Sequence, residues 1–360
     1  MKFYKALIFL FVTSVYAVDG EDLSKGNCAS CHEDKSLNLI SLSSMTYYSQ
    51  QELLNVLQGG KMKQQAQHLS TEQKEAIAQY LSKGESDLIK RKINNYCKKD
   101  LSVDSLSSNS NWFSWGQDAF NSRNQTNTNI NSDNIKELKL KWSFGIGSQE
   151  VRAQPIVIGE LVFISGSDTL YALDKEKGCL YWEFQSKARL RNAPAVDTVK
   201  KDALYLVDSD FNIFKINALD GKLIWKTKVP KEYESNTSSA SPVHAGNYLL
   251  VPISTYETVL AIDPSYECCK TSGGMAALNS STGEIIWNHR VLKEAQFTEK
   301  GLITRVKKFA PSGAAVWNAP GVDIEEGRVF FGTGQSTQSP ASEFSDAIIS
   351  LNIETGKKLW

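Results

Sequence analysis

The chain has 360 residues, a length that allows two or three domains. Hydrophobic residues make up 41% and charged residues 22%, a globular balance that excludes a disordered or polytopic membrane chain. Lys and Arg number 40 and Asp and Glu number 40, so the neutral chain offers no electrostatic case for nucleic acid or an anionic membrane surface.

Lys2 and Lys5 precede the apolar run Ala6 to Val12, and Val15 and Ala17 supply the small residues of a cleavage site. This is the layout of a secretory signal peptide, residues 1–17. The run is too short for a transmembrane anchor, which takes ~20 apolar residues. The mature protein is therefore expected to be periplasmic, where disulfides are permitted.

Cys28-Ala29-Ser30-Cys31-His32 is a C-x-x-C-H run. One helical turn presents two thiols that can add across the vinyl groups of a haem, and an imidazole that can ligate its iron. A thioredoxin-type pair would need a βαβ context, and a zinc half-site a second Cys/His pair nearby; neither follows. The opposite iron ligand is expected downstream, where Met45, Met62 and His68 are the donors at hand. Met62 follows Gly59-Gly60-Lys61, and Ser70-Thr71-Glu72-Gln73 then forms a capping box. Ile77, Tyr80 and Leu81 continue at helical spacing. In these motifs residues 20–85 resemble the small all-α class I cytochromes c, where G-x-M precedes L-S-x-x-E/Q and a last helix ending in Y-L. The resemblance favours Met62 as the ligand, leaves His68 as the alternative and puts Met45 in the core. A thioether ligand raises the haem potential, which suits an electron acceptor. The domain is expected to span residues 18–90.

Residues 91–111 read as a linker. Lys90 to Lys92 is a short basic patch on a solvated face, and Ser102 to Asn111 is Ser/Asn-rich with weak periodicity, the composition of a flexible connection.

From residue 142 onward one unit recurs. Leu170 to Trp182, Phe214 to Trp225, Met275 to Trp287 and Ile348 to Trp360 each read as a strand, a turn holding Gly178, Gly221, Gly283 or Gly356, and a strand ending in Trp. Trp142 ends one further final strand. Growing insertions between copies fit four-stranded propeller blades, with each Trp wedged between neighbours. These repeats look like the Trp-docking motifs of pyrroloquinoline quinone (PQQ) dehydrogenases, which have eight blades. About four are present at residues 112–360, so the chain is expected to be a fragment whose open blade edges are covered in a longer protein.

Five ordered segments narrow the resemblance to the polyvinyl-alcohol-dehydrogenase type of quinoprotein. They are Trp115-Gly116-Gln117-Asp118 with Asn121 and Arg123; Leu138 to Phe144; Val151-Arg152-Ala153-Gln154-Pro155; Ala261 to Cys269; and Pro311 to Pro320. A cytochrome c domain fused to this propeller also occurs in that family. The resemblance implies that Trp317 forms the floor under the quinone and that Ser239 and Ser254 contact PQQ. It implies that Glu257 ligates calcium, with Gln335 standing in the Gly332-Thr333-Gly334-Gln335 turn where the family has Asn. Gln keeps an amide oxygen, but one extra methylene moves the metal. Arg152 and Arg191, each three residues before a Pro, are the cations expected to meet the quinone's carboxylates. The resemblance places the catalytic base in a loop beyond Trp360; Asp346 reads equally as a hairpin cap.

Six cysteines are present. With Cys28 and Cys31 taken by haem, the vicinal Cys268 and Cys269 are expected to form a disulfide, as some PQQ enzymes hold over the cofactor from a different loop. Cys97 and Cys179 remain, and their bond would staple the linker to the first blade, although spacing alone does not fix connectivity.

The resemblance thus implies an exported quinohaemoprotein that oxidises a secondary alcohol or polyol, polyvinyl alcohol being one option. Calcium polarises the quinone, and electrons pass to the haem and on to a respiratory cytochrome or quinone. The competing expectation is a non-catalytic propeller scaffold or docking module fused to an electron-transfer cytochrome.

Overall fold

A computed structural model describes residues 19–37, 39, 41, 42, 45, 48, 50–88, 95–108, 110–146, 151–261, 265–301 and 305–360. The expected export signal at residues 1–17 and the Lys90–Lys92 patch lie outside them. The chain divides into two units, residues 1–92 and 93–360.

The first unit is helical. Asp19 caps α1 (Gly20–Asn27), its carboxylate accepting from the Glu21 amide at 2.8 Å. A single turn, α2 (Ala29–His32), follows, then α3 (Gln50–Gln58) and α4 (Thr71–Leu88). The capping box at the start of α4 closes both ways: Ser70 Oγ accepts from the Gln73 amide at 3.2 Å, and Gln73 Oε1 accepts from the Ser70 amide at 2.9 Å. Helices α1 and α4 cross so closely that a Cβ on Gly20 would lie 2.1 Å from the Ala76 carbonyl oxygen. The core between the helices holds Leu53, Leu57, Leu69, Ile77, Ala78 and Leu81, of which Ile77 and Ala78 are fully buried.

The second unit is a series of antiparallel meanders. The first sheet is β1 (Ile156–Ile158), β2 (Leu161–Gly166), β3 (Thr169–Asp174) and β4 (Leu180–Gln185). The second is β5 (Ala195–Val196), β6 (Ala203–Val207), β7 (Asn212–Asn217) and β8 (Leu223–Lys228). The third is β10 (Val243–Ala245), β11 (Tyr248–Thr255), β12 (Gly274–Asn279) and β13 (Ile285–Arg290), with β9 (Asn236–Thr237) added to the end of β11. A hairpin of β14 (Gln296–Lys300) and β15 (Lys307–Ala310) precedes the fourth sheet, β16 (Gly321–Asp323), β17 (Arg328–Gly332) and β18 (Ile348–Asn352). Successive sheets pack face to face. One apolar core joins the first and second sheets through Phe163 and Leu204, another the second and third through Val207 and Leu249, another the third and fourth through Leu250 and Val329.

The Trp and Gly of the repeat meet across these junctions. The turn glycine of one sheet lies under the Trp that closes the preceding copy. A Cβ on Gly178 (φ +66°) would sit 2.5 Å from the Trp142 indole, and one on Gly356 (φ +66°) 2.6 Å from Trp287. Gly221 and Gly283 repeat the arrangement under Trp182 and Trp225. Only a residue without a side chain fits there, and positive φ is inexpensive only for Gly. Three of the indoles also donate to a carbonyl in the next sheet: Trp142 to Lys175, Trp182 to Ala218 and Trp287 to Ile353. Trp225 is different. Its N–H is buried without a partner. The Ser280 carbonyl at that junction accepts instead from the Tyr205 hydroxyl at 3.0 Å and from Lys215 Nζ at 3.3 Å.

The flexible linker expected at residues 91–111 needs correction. From Asn95 onward it belongs to the second unit. The Cys97 amide donates to the Leu180 carbonyl and the Leu180 amide to the Asn95 carbonyl, both at 2.9 Å, so residues 95–97 run along the edge of β4. A Cys97–Cys179 disulfide fastens them there. Further on, the Ser105 carbonyl accepts from the Glu160 amide at 2.8 Å, and Leu106 is buried in the core of the first two sheets. Ser/Asn-rich composition reads as loose chain, but these backbone groups are satisfied by a sheet edge and a turn.

Candidate functional site

Each unit carries a candidate site. In the helical unit, α1 ends at Cys28, and the His32 amide donates back to the Cys28 carbonyl at 3.1 Å. The C-x-x-C-H residues therefore share one turn, beside a cavity of about 310 Å³. Cys28, Cys31, His32, Met45 and Met62 all line it, and the rest of the wall is mostly apolar, with Leu53, Leu57 and Leu81 among it. Cys28 and Cys31 are thiols, whereas the other four cysteines are paired. Burial pushes the Cys28 thiol above its ordinary pKa. His68 does not line the cavity; its ring meets the Asn27 side chain at 2.8 Å. Met45 lies in the cavity wall together with Met62, so two thioethers face the same space. A cavity of this size, apolar and bearing two free thiols, an imidazole and two thioethers, fits a covalently attached haem.

In the β-rich unit the expected quinone residues come from five separate segments. The end of β11 carries Ser254, paired with Thr237 of β9, and Ser239 lies just past β9. The Val316 amide donates to the Ile253 carbonyl at 3.2 Å, which sets the segment carrying Trp317 beside β11. Asn318 fixes that segment to β17: its amide donates to the Gly332 carbonyl at 2.8 Å and accepts from the Gly332 amide at 3.2 Å. Gly334 packs under the Trp317 ring, where a Cβ would lie 3.5 Å from the indole. Trp317 is nevertheless 59% exposed, an unusual position for a large aromatic ring. Arg191 donates to the Tyr256 hydroxyl and lies 5.4 Å over the Tyr256 ring, while its Nε is buried with no partner. The Oδ1 of neighbouring Asn192 is also buried and unpartnered. Arg152 is exposed in the segment before β1. An exposed aromatic floor, two serines and a guanidinium with an unused donor fit a flat ligand bearing carboxylates.

The calcium donors do not fit. Glu257 opens the short helix α5 (Glu257–Leu260) and is only 2% exposed. It is turned inward. Its oxygens accept from the Lys270 amide at 2.8 and 2.9 Å, the Thr271 amide at 2.7 Å, the Thr271 hydroxyl and the Tyr266 hydroxyl at 3.1 Å. Burial first, and then the Glu257 charge, pushes the Tyr266 hydroxyl up to about 12, so it remains a donor. The carboxylate has no acceptor direction left for a hard cation. Stripping a buried donor of this partner would cost about 1–3 kcal/mol. Gln335 is exposed, and the contact it makes is through its backbone carbonyl, which accepts from the Ala314 amide at 3.0 Å.

Sequence reading did not find Tyr256, Thr271 or Arg290, which hold Arg191, Glu257 and the Lys270 carbonyl. No local pattern marks them. Cys268 and Cys269 are joined to each other and buried immediately before the residues that bind Glu257.

Residues 137–360 match the PQQ_2 family model, described as outer membrane protein assembly factor BamB. The chain belongs to the PQQ_2 family. Among curated relatives, a polyvinylalcohol dehydrogenase from Pseudomonas sp. is 27% identical over 95% of this chain and 56% of its own length. A second, from Sphingopyxis sp. strain 113P3, is 27% identical over 95% of this chain and 55% of its own. The chain therefore spans about half the length of these relatives. The crystal structure of quinohemoprotein alcohol dehydrogenase from Comamonas testosteroni superposes with a TM-score of 0.56 at 19% identity, over 71% of this chain and 41% of that one. That likeness establishes a β-rich, propeller-type PQQ_2 fold. Among the described residues no helix is long and apolar enough to cross a membrane.

Proposed function

We propose that this chain forms the haem-bearing and quinone-binding part of an exported PQQ-dependent alcohol dehydrogenase. The observation that carries the reading is exposed Trp317, whose segment is bonded to β11 next to Ser254, together with a buried Arg191 donor left without a partner. The polyvinylalcohol dehydrogenase alignments, which cover 95% of this chain and so run through the helical unit as well, support it.

Bound PQQ would supply a two-electron acceptor for an alcohol's hydride. Trp317 would offer the flat apolar face on which such a ring stacks, Arg191 the charge that meets a carboxylate, and Ser239 and Ser254 the hydroxyls that contact the cofactor. Arg152 is the second cation assigned to the cofactor. A haem would be held by Cys28 and Cys31 with His32 and Met62 as its iron ligands, and would supply one-electron transfer. The apolar cavity walls would exclude water from the group. The onward acceptor is a respiratory cytochrome or quinone. The substrate is a secondary alcohol or polyol, polyvinyl alcohol included. Glu257 is not assigned as the base, because its oxygens are occupied by chain donors.

The test is anaerobic haem absorbance in the full protein, supplied with PQQ and challenged with primary, secondary and polymeric alcohols. The proposal expects one alcohol class to reduce the haem. Haem reducible by dithionite but by no alcohol would favour the scaffold reading, which the description of the matching family model supports.

A further inference from the structure

We propose that Glu257 is the anchor of the loop carrying Cys268 and Cys269, and not a calcium ligand. Two donors to its carboxylate, the amides of Lys270 and Thr271, come directly after the cysteine pair. A third, Tyr266, comes before it, so one buried carboxylate gathers both ends of the loop. The same stretch is gripped from the opposite side. Arg290 donates through Nη2 to the Lys270 carbonyl at 3.2 Å and through Nε to the Leu292 carbonyl at 2.7 Å. The peptide linking Lys270 to Thr271 therefore has a guanidinium on its C=O and a carboxylate on its N–H. Each charge polarises the peptide toward the other, and the pair holds it more firmly than either would alone.

The consequence reaches the cysteines and the strand behind them. The Cys268 carbonyl accepts from the Phe309 amide at 2.9 Å, and Gln338 Nε2 lies 3.3 Å from Cys268 Sγ. Cys268 is 6% exposed and Cys269 is fully buried. The Thr271 carbonyl accepts from the Gly313 amide at 2.8 Å, and the Gly273 amide donates to the Gly313 carbonyl at 2.9 Å. Gly313 leads into the segment bearing Trp317. Glu257 thus holds a loop that shields a disulfide and braces the Trp317 segment. A carboxylate accepting five hydrogen bonds is committed to that task, and a cation would have to displace them.

This inference uses the proposed function only in naming Trp317 a quinone floor; both assays below are read without quinone or alcohol. Terbium(III) luminescence, sensitised by tryptophan, stands in for calcium. The rate at which a phosphine reductant opens the Cys268–Cys269 pair, trapped by alkylation and counted by mass spectrometry, reads the loop. Glu257→Gln is expected to open at least tenfold faster than wild type, with the same terbium titration within threefold. Arg290→Gln, which leaves the carboxylate in place, is expected to open severalfold faster, also with unchanged terbium binding. Should Glu257→Gln fail to fold, Thr271→Val, which removes one donor, is expected to open severalfold faster. A tenfold loss of terbium affinity in Glu257→Gln overturns the proposal whatever the loop does. Opening rates equal to wild type in these variants overturn it as well.

Discussion

The two candidate sites are built on opposite plans. In the helical unit, Cys28, Cys31 and His32 share one turn, and Met62 and the apolar wall come from the same short stretch of chain. In the β-rich unit, the candidate residues Arg191, Ser254 and Trp317 lie far apart in sequence, and each is positioned by contacts between segments: Arg191 with Tyr256, Ser254 with Thr237, and the Trp317 segment with Ile253. A local site is hard to displace without changing its own residues. A dispersed site inherits every weakness of the junctions that align it, and those junctions are not alike.

The largest expected effect breaks the local site alone. Cys28→Ala with Cys31→Ala removes both thioether positions, so the purified chain should lose the covalent haem mass completely in denaturing mass spectrometry. The thermal transition of the β-rich unit should stay where it is. A fall in that transition would mean the two plans are not separable.

The next effect lies at the junction of the second and third sheets, where the Trp225 N–H is unpartnered. The space is taken by Asp197, Lys215, Tyr205 and His244, with the His244 and Tyr205 rings stacked at 5.1 Å. Burial, opposed by Asp197 and helped by Lys215, lowers His244 to about 4. A depressed histidine favours the folded state fully above its ordinary pKa, and that stability is lost as pH falls from about 6.5 toward 4. The loss is on the order of 3 kcal/mol. Below that range Asp197 takes over. Burial alone would raise it, but the Lys200 amide and the Lys215 ammonium hold it at about 2, so its contribution fades between about pH 4 and 2. Urea unfolding at pH 7, 5.5 and 4 should show the first slope, and His244→Gln should flatten it.

A smaller effect comes from the same junction's turn. Gly283→Ala puts a Cβ at positive φ, 2.7 Å from Thr227 Oγ1 and 2.8 Å from the Trp225 ring. It should cost about 2 kcal/mol in the β-rich unit and leave haem attachment unchanged. The smallest is Ser70→Ala, which removes the capping box of α4 and should cost about 1 kcal/mol, confined to the helical unit.

These contrasts explain what could be read from sequence. The C-x-x-C-H turn and the Ser70–Gln73 box are contacts between residues three or four apart, and the Gly–Trp repeat declares itself by recurring. The Ser102–Asn111 stretch reads as loose because composition carries no trace of its distant partners: the Ser105 carbonyl accepts from the Glu160 amide and the Asn111 side chain from the Gly159 amide. Glu257 reads as a calcium ligand only through the family resemblance, which carries no trace of the local backbone. The chain turns into α5 there, and its carboxylate meets amides 13 and 14 residues later. Arg290, at the end of β13, and Tyr256, just past β11, lie in no motif; their partners Lys270 and Arg191 are 20 and 65 positions away.

The central claim is that dispersed residues of the β-rich unit form a quinone site around Trp317. Titration of the chain with PQQ, followed by quenching of tryptophan fluorescence and checked by equilibrium dialysis, tests it most directly. The account predicts saturable one-to-one binding that Trp317→Ala weakens by about tenfold to a hundredfold, since a stacking ring is worth ~1–3 kcal/mol. Equal affinity in wild type and Trp317→Ala would contradict it.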